Sequence, residues 1–582
     1  WPMTTSDDAQ KAADEASAEA AKAQAAAVAA QKHADELIAA ASAAEAAAQE
    51  PAATPAAAPA PAGPRSTIVE TVKAGYTFEG SAIEIGVLVD GEAVPDAPVR
   101  IPTAMFNRHG LVAGATGTGK TKTLQVLAEQ LAIQGVPVFA ADIKGDLSGI
   151  ATAGAMNGKL QKRNELMGQN WTATAIPTDY FALGGIGMGI PVRATVTAFG
   201  PLLLSKVLGL NDTQESSLGL VFHYAKNAGL PLIDLTDLRA VLQYLTGDEG
   251  KAELKQLGGL SAQTAGVILR ELITFSDQGA DVFFGEPQIS TADFLRVAPD
   301  GSGIVSLLEV PGVQDKPALF STFLMYLLTQ LFKDLPEVGD IDKPKLVFFF
   351  DEAHLLFRDA SKDFLETIAQ TVRLIRSKGV GVFFVTQTPK DVPSEVLAQL
   401  GSRIQHQLRA HTPEDAKALK ATVSTYPISE YDLGEVLTQL ATGEAIVTVM
   451  NEKGAPSPVA WTRVRAPQGS MSPTPADQIT ATVNASPLLA KYGAVVNTSS
   501  AAEILAAKVT VDAAATAEQT AKSGERDEAE RVAREAEKIA KQNSKTKAAP
   551  RKSTKMSPLD RAVGEASRTL AREFIKNIFK KR

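Results

Sequence analysis

At 582 residues the chain is longer than one hydrophobic core ordinarily serves, so one large domain or two, with appendages, is expected. Hydrophobic residues make up 45% and charged ones 21%, a globular composition, while a net charge of −8 argues against a surface that binds nucleic acid over its whole extent and leaves room only for a local basic channel. The absence of cysteine excludes disulfides, thiolate metal sites and cysteine nucleophiles.

Residues 1–65 open with an alanine-rich stretch from about Asp8 to Gln49, free of Gly and Pro, which favours one long helix. Pro51 to Pro64 then reads as an extended Pro/Ala linker. No basic n-region followed by an apolar run is visible, so no secretion signal is read and a cytoplasmic location is expected. Residues 66–105 form a small β-rich segment that includes Ile83 to Val89. From 106 to 465 apolar strands alternate with helical stretches. The strands are Leu111 to Ala113, Val136 to Ala141, Ile304 to Val310, Leu346 to Phe350 and Val380 to Val385. That alternation predicts an α/β core with a mostly parallel sheet covered on both faces.

Within the core, residues from about 152 to 300 look largely helical and are expected to form an insertion subdomain. Leu319 to Phe332 is apolar but interrupted by Ser321, Thr322, Thr329 and Gln330, and is too short to span a bilayer, so it reads as a buried helix and no integral membrane segment is expected. Residues 466–582 comprise a linker, Ala466 to Asp477, a helical arm, Ala501 to Lys541, and a tail with 13 Lys and Arg against 3 Asp and Glu. In the tail Leu559, Val563, Ala566, Leu570, Phe574 and Ile578 recur at helical spacing. Such a basic amphipathic helix suits its own protein, a sister subunit, nucleic acid or a membrane surface.

The chemistry concentrates in a few motifs. Gly114-Ala115-Thr116-Gly117-Thr118-Gly119-Lys120-Thr121 matches G-x-x-x-x-G-K-[ST] between a strand and a helix. Polyphosphate needs many donors at close range; glycines let backbone N–H groups converge, and the helix N-terminus adds favourable potential. Lys120 is expected to reach the β- and γ-phosphates of ATP, Thr121 to ligate Mg²⁺, and Lys122 to belong to the same cradle. Five apolar residues, Leu346 to Phe350, then deliver Asp351 and Glu352 to a strand end. Asp351 is the expected second Mg²⁺ ligand and Glu352 the group that polarises the attacking water.

Gln387 ends another apolar strand, where its amide either contacts the γ-phosphate or caps a turn. Asp142 and Lys144, with Asp146, follow a third strand and are expected to face the nucleotide. Phosphoryl transfer also benefits from an arginine supplied by a neighbouring subunit. The candidates are Arg373, Arg376, Arg403 and Arg409, of which Arg376 and Arg403 are favoured.

Together "NRHGLVAGATGTGKT", "VPVFAADIKGDLSG", "GPLLLSKVLGLNDTQE", "FFFDEAHLLF", "VRLIRSKGVGVFFVTQTPKDVP" and "LGSRIQHQLRAHTPED" resemble the YjgR-type branch of the HerA/FtsK-like P-loop ATPases over roughly Tyr76 to Arg465. The resemblance implies a RecA-like core assembled as a homo-oligomeric ring, hexameric in related proteins, with Mg-ATP sites between subunits. Double-stranded DNA is the implied substrate of a translocase or helicase-like motor, and an ATP-regulated scaffold without motor activity is the alternative. HerA proteins usually carry a β-barrel ahead of the P-loop, for which Ser66 to Arg100 is short.

Overall fold

The computed structural model describes residues 67–142, 144–256, 259–277, 279–309, 317–358 and 362–545. The alanine-rich stretch and Pro/Ala linker of residues 1–65 and the basic amphipathic segment 546–582 lie outside the described residues.

Among the described residues the strands are β1 (Ala82–Asp90), β2 (Glu92–Pro102), β3 (Gly110–Ala113), β4 (Val138–Asp142), β5 (Thr178–Leu183), β6 (Ile190–Val192), β7 (Val305–Glu309), β8 (Leu346–Phe350), β9 (Val380–Thr386), β10 (Ser402–Gln405), β11 (Glu444–Thr448) and β12 (Ala460–Val464). They form one 12-stranded sheet in the order β2-β1-β12-β11-β10-β3-β9-β8-β4-β7-β5-β6. From β10 to β6 every neighbouring pair is parallel, whereas β11, β12, β1 and β2 add antiparallel strands on the other side. Helices cover both faces of the parallel part, so its strands carry unbroken apolar runs: every residue of β4, β8 and β9 is buried. On the antiparallel side β12 alternates buried and half-buried residues instead.

The β1–β2 hairpin does not close a separate barrel. Gly86 of β1 aligns with Val464 of β12, so the hairpin extends the common sheet. Residues 152–300, expected to be helical, also supply β5 and β6 to the far end of the sheet; the rest of that stretch holds the helices Val196–Val207, Asp212–Asn227, Leu235–Thr246 and Ala262–Asp277. Two of these start at capping boxes, Asn211 with Gln214 and Asp234 with Asp237, each satisfying otherwise orphaned N–H groups.

Aromatic residues pair across neighbouring strands of the sheet: Phe139 of β4 stacks on Phe348 of β8 with ring centroids 4.5 Å apart, and Phe350 of β8 on Phe384 of β9 at 5.4 Å. Full burial of one such side chain is worth about 1.5–3 kcal/mol. The helix Pro317–Asp334 packs with Phe323 to Leu328 and Leu331 buried, in keeping with the core helix expected there. No helix among the described residues is long and apolar enough to cross a membrane.

After β12 the chain crosses the helix Lys120–Ile133 as a strap. The buried Glu129 carboxylate accepts from the N–H groups of Gln468 (2.7 Å) and Gly469 (2.9 Å), which tethers the strap to the helix that starts at the glycine loop. The helix Ala501–Lys545 begins on the insertion, where Ala501 and Leu505 are buried and Lys508 donates to the Tyr244 hydroxyl (2.7 Å). Beyond Leu505 its described side chains are exposed.

Candidate nucleotide site at the carboxyl edge of the sheet

β3 ends at Ala113, and the loop Gly114 to Gly119 turns the chain into the helix Lys120–Ile133. The loop lies close against its supports. A Cβ on Gly114 would come within 2.5 Å of the His406 Cβ, and Gly119, the residue capping the helix, holds φ at 110°, which an L side chain resists. Backbone bonds fix the loop on two sides: Ala115 N–H donates to Gln407 O (2.8 Å) and Gly443 N–H to Thr118 O (3.0 Å).

His406 lies under this loop, fully buried. Its Nδ1 is 2.8 Å from the Glu444 carbonyl, which can only accept, so Nδ1 carries the proton and Nε2 accepts from the Thr123 hydroxyl at 2.9 Å. Burial pushes its pKa down to about 4, with Lys120 adding to the depression and the Glu444 bond opposing it. No local pattern points to His406, because a histidine in "QHQ" at a strand end has no motif; its contact with Thr123 joins residues 283 positions apart.

Lys120 donates to the carbonyls of Gly114 (2.6 Å) and Ala115 (3.1 Å). Burial lowers its pKa, and the charges of Glu352 and Asp351 pull it back up. The charges of both carboxylates thus bear on the one ammonium, and the glycine loop and the acidic pair lie at the same edge of the sheet. The topology explains this: β3 and β8 flank β9, with Ala113 beside Thr386 and Phe350 beside Phe384, so both strands deliver their following residues to one edge. Burial, with the Glu352 charge adding to it, raises the Asp351 carboxyl to about 7.

Glu352 has φ 47°, uncommon for a non-glycine residue, and its N–H donates to Asp351 Oδ1 (2.9 Å). Its Oε1 accepts from Lys144 Nζ at 3.2 Å, and its Oε2 lies 3.3 Å from His354 Nδ1. Lys144, expected to face the nucleotide, is thus engaged with Glu352. Asp142 is buried and accepts from the N–H groups of Leu147 (2.8 Å) and Ser148 (3.1 Å), so it holds its own loop; burial raises its pKa to about 6. Lys122 turns to Gln125 Oε1 (3.2 Å) and the Asp146 carbonyl (3.3 Å). Gln387 is exposed and lines a cleft of about 210 Å³ with Ala115, Thr116 and Arg409.

The donor types suit a magnesium nucleotide. Thr121 and Asp351 offer hard oxygen ligands, and Lys120 and the loop offer phosphate donors. Among the described residues no group of 3 or more His, Cys, Asp or Glu forms a self-sufficient metal site, so a cation here depends on nucleotide and water oxygens for the rest of its shell.

The arginines separate into two groups. Arg409 donates to the Thr116 carbonyl (3.3 Å), on the glycine loop itself. Arg373, Arg376 and Arg403 lie at the opposite, amino edge of the parallel strands, where with Arg108 and His109 they line a cleft of about 510 Å³. A crossover helix runs against its strands, so the helix Lys362–Ile375 delivers Arg373 and Arg376 to the edge where β9 begins. Arg403 donates to the Thr425 hydroxyl (2.6 Å) and lies over the Tyr426 ring.

A strand, a glycine loop with its lysine, and an acidic pair on the second strand over define a P-loop protein of the α/β class. A family model described as helicase HerA-like C-terminal matches residues 88–581, and the chain belongs to this HerA-like family of P-loop ATPases. A probable helicase of Methanocaldococcus jannaschii is 25% identical over 391 residues, 64% of this chain and 68% of that one. The DNA double-strand break repair helicase HerA of Sulfolobus acidocaldarius is 24% identical over 388 residues, 66% of this chain and 70% of that one. Among solved structures, the plasmid coupling protein TrwB in complex with ADP and Mg²⁺ has a TM-score of 0.47 at 16% identity, over 70% of this chain and 94% of that one.

Proposed function

We propose that the protein is a magnesium-dependent ATPase that works as a homo-oligomeric motor on double-stranded DNA. The observation that carries the ATPase is that β3 and β8, which flank β9, deliver the glycine loop with Lys120 and the pair Asp351 and Glu352 to one edge of the sheet. Lys120 and the loop amides hold the phosphates, and Thr121 and Asp351 hold Mg²⁺, which when bound neutralises phosphate charge. Glu352 accepts a proton from the attacking water, and Gln387 senses the γ-phosphate from the end of β9. Arg376 and Arg403 lie at the far edge of the sheet and serve a neighbouring copy's site, which favours a ring, hexameric as the family resemblance implies. DNA is carried over from relatives whose names describe helicases and double-strand break repair.

The test is ATP turnover by the purified protein with and without long duplex DNA. Turnover is expected to rise with duplex and to fall by about 100-fold or more in Lys120→Ala and Glu352→Gln. A rate that stays flat over a range of duplex lengths and salt concentrations removes the DNA motor and leaves the ATPase.

One observation favours a second reading, an ATP-regulated scaffold: the helix Ala501–Lys545 extends exposed beyond its root, for about 60 Å at 1.5 Å per residue. Deletion of residues 541–582 that leaves particle mass unchanged removes the tail from assembly.

A further inference from the structure

We propose that Lys144 is a positioning residue for hydrolysis, which orients the Glu352 carboxylate, and is not a ligand of the nucleotide; this rests on the ATPase reading above. The sheet order β3-β9-β8-β4 places the glycine loop on one side of β8 and Lys144, which follows β4, on the other. Glu352, which follows β8, therefore lies between two lysines. Lys120 approaches from the loop side, where it is bonded to Gly114 and Ala115 carbonyls. Lys144 approaches from the β4 side and donates to Oε1 at 3.2 Å.

A general base has to be aimed, and a glutamate side chain has three rotatable bonds with which to miss. The backbone supplies part of the aim, through φ 47° and the bond from Glu352 N–H to Asp351. The carboxylate itself has one hydrogen-bond donor among the described residues, and it is Lys144: Oε2 is buried without a hydrogen bond, with His354 Nδ1 at 3.3 Å. Burial would lower the Lys144 pKa, yet the bond and charge of Glu352 outweigh it and leave it raised, so the contact stays charge-assisted.

Magnitude separates orientation from stability. Lys144 has 52% of its side chain exposed, and a pair so open contributes little to folding. Its loss leaves the fold intact and releases the base, whose misplacement by about 1 Å can cost on the order of 100-fold in rate. A phosphate ligand behaves differently, since it holds substrate and transition state alike and its loss appears in KM.

The experiment measures kcat, KM for Mg-ATP and the Kd of a fluorescent ATP analogue for wild type, Lys144→Met, Lys144→Arg, Glu352→Gln and the Lys144→Met/Glu352→Gln double variant. Lys144→Met is expected to lower kcat by about 10- to 100-fold with KM and Kd within about threefold, and Lys144→Arg to recover most of the loss. In the Glu352→Gln background Lys144→Met is expected to cost nothing more, because both act through one carboxylate. The melting temperature of Lys144→Met is expected to match wild type. A tenfold rise in KM and Kd at unchanged kcat overturns the proposal and makes Lys144 a nucleotide ligand; an unchanged kcat, or a further loss in the double variant, also overturns it. Wild-type protein that turns over no ATP removes the enzymatic reading and this inference with it, whereas wild-type turnover with Lys144→Met unaffected removes only the role of Lys144.

Discussion

The two edges of the parallel sheet carry similar numbers of cations and treat them differently. At the carboxyl edge Lys120, Lys122 and Lys144 are interleaved with Asp142, Asp146, Asp351 and Glu352, and each lysine is engaged by carbonyls or a carboxylate. At the amino edge Arg108, Arg373, Arg376 and Arg403 share one cleft, and among the described residues their ionic partner is Asp340, 3.8 Å from Arg376. Arg108 accordingly adds to the lowering that burial imposes on the Arg376 pKa. One edge is internally neutralised and has to exchange partners when a triphosphate arrives. The other offers positive charge outward, with four arginines against the one exposed carboxylate of Asp340 among the described residues. The seven residues of β9 run between them, about 20 Å at 3.3 Å per residue, so the arginines cannot reach the phosphates of their own chain.

The largest effect expected from this asymmetry is on turnover. Arg376→Ala or Arg403→Ala is expected to reduce kcat by about 1,000-fold with ATP binding retained, as for an arginine that meets transition-state charge. Mixing inactive Arg376→Ala with inactive Lys120→Ala is then expected to restore a fraction of wild-type activity, because a site with an intact loop from one copy and an intact arginine from another can form. A mixture that stays inactive under conditions where the copies exchange breaks the comparison, and Arg409, bonded to Thr116 on the loop, becomes the arginine to test.

A second effect treats the two edges alike. His109 at the amino edge and His406 under the glycine loop are both buried, and burial is the main cause that brings each to a pKa of about 4. Against an ordinary value near 6.5, the unfolded chain binds these protons more readily than the folded one. The two histidines' share of stability is therefore complete above about pH 6.5 and is lost as pH falls toward 4, by on the order of 3 kcal/mol for each, whereas the raised Asp351 and Asp142 carboxyls act in the opposite sense over the same range. Urea midpoints at pH 7.5 and 5.0 measure the slope. Relative to wild type, His109→Gln and His406→Gln are each expected to lose less stability, or gain more, between pH 7.5 and 5.0 even if they lower it at pH 7.5, and a pH dependence identical to wild type in both variants removes the histidines' contribution.

How much of this was legible depended on whether the signal was local. The loop Gly114 to Thr121 and the pair Asp351 and Glu352 could be read because each sits against an apolar strand whose period and ending are written in consecutive residues. The core strands followed for the same reason: burial on both faces leaves runs such as Leu346 to Phe350. What escaped depends on register between distant segments. β5 begins Thr178-Asp179, too polar at its start to stand out within a helical stretch, and β1 joins β12 across more than 370 positions. The sequence named Lys144 and the arginines, but the pairing of Lys144 with Glu352 and the edge to which each arginine goes follow from strand order, which no local pattern encodes.

The smallest expected effect is also the most direct test of whether the amino edge is uncompensated. Asp340 lies 3.8 Å from Arg376, with 93% of its side chain exposed. At that separation and exposure solvent screens the attraction, and an open pair is worth between zero and about 1 kcal/mol. Asp340→Ala is therefore expected to change the urea midpoint free energy by less than about 0.5 kcal/mol and kcat by less than about twofold. If instead it costs more than about 1.5 kcal/mol, Asp340 neutralises the cleft in earnest. The amino edge would then be balanced within the chain as the carboxyl edge is, and its arginines would have to break a bond of their own before meeting a neighbour's phosphate.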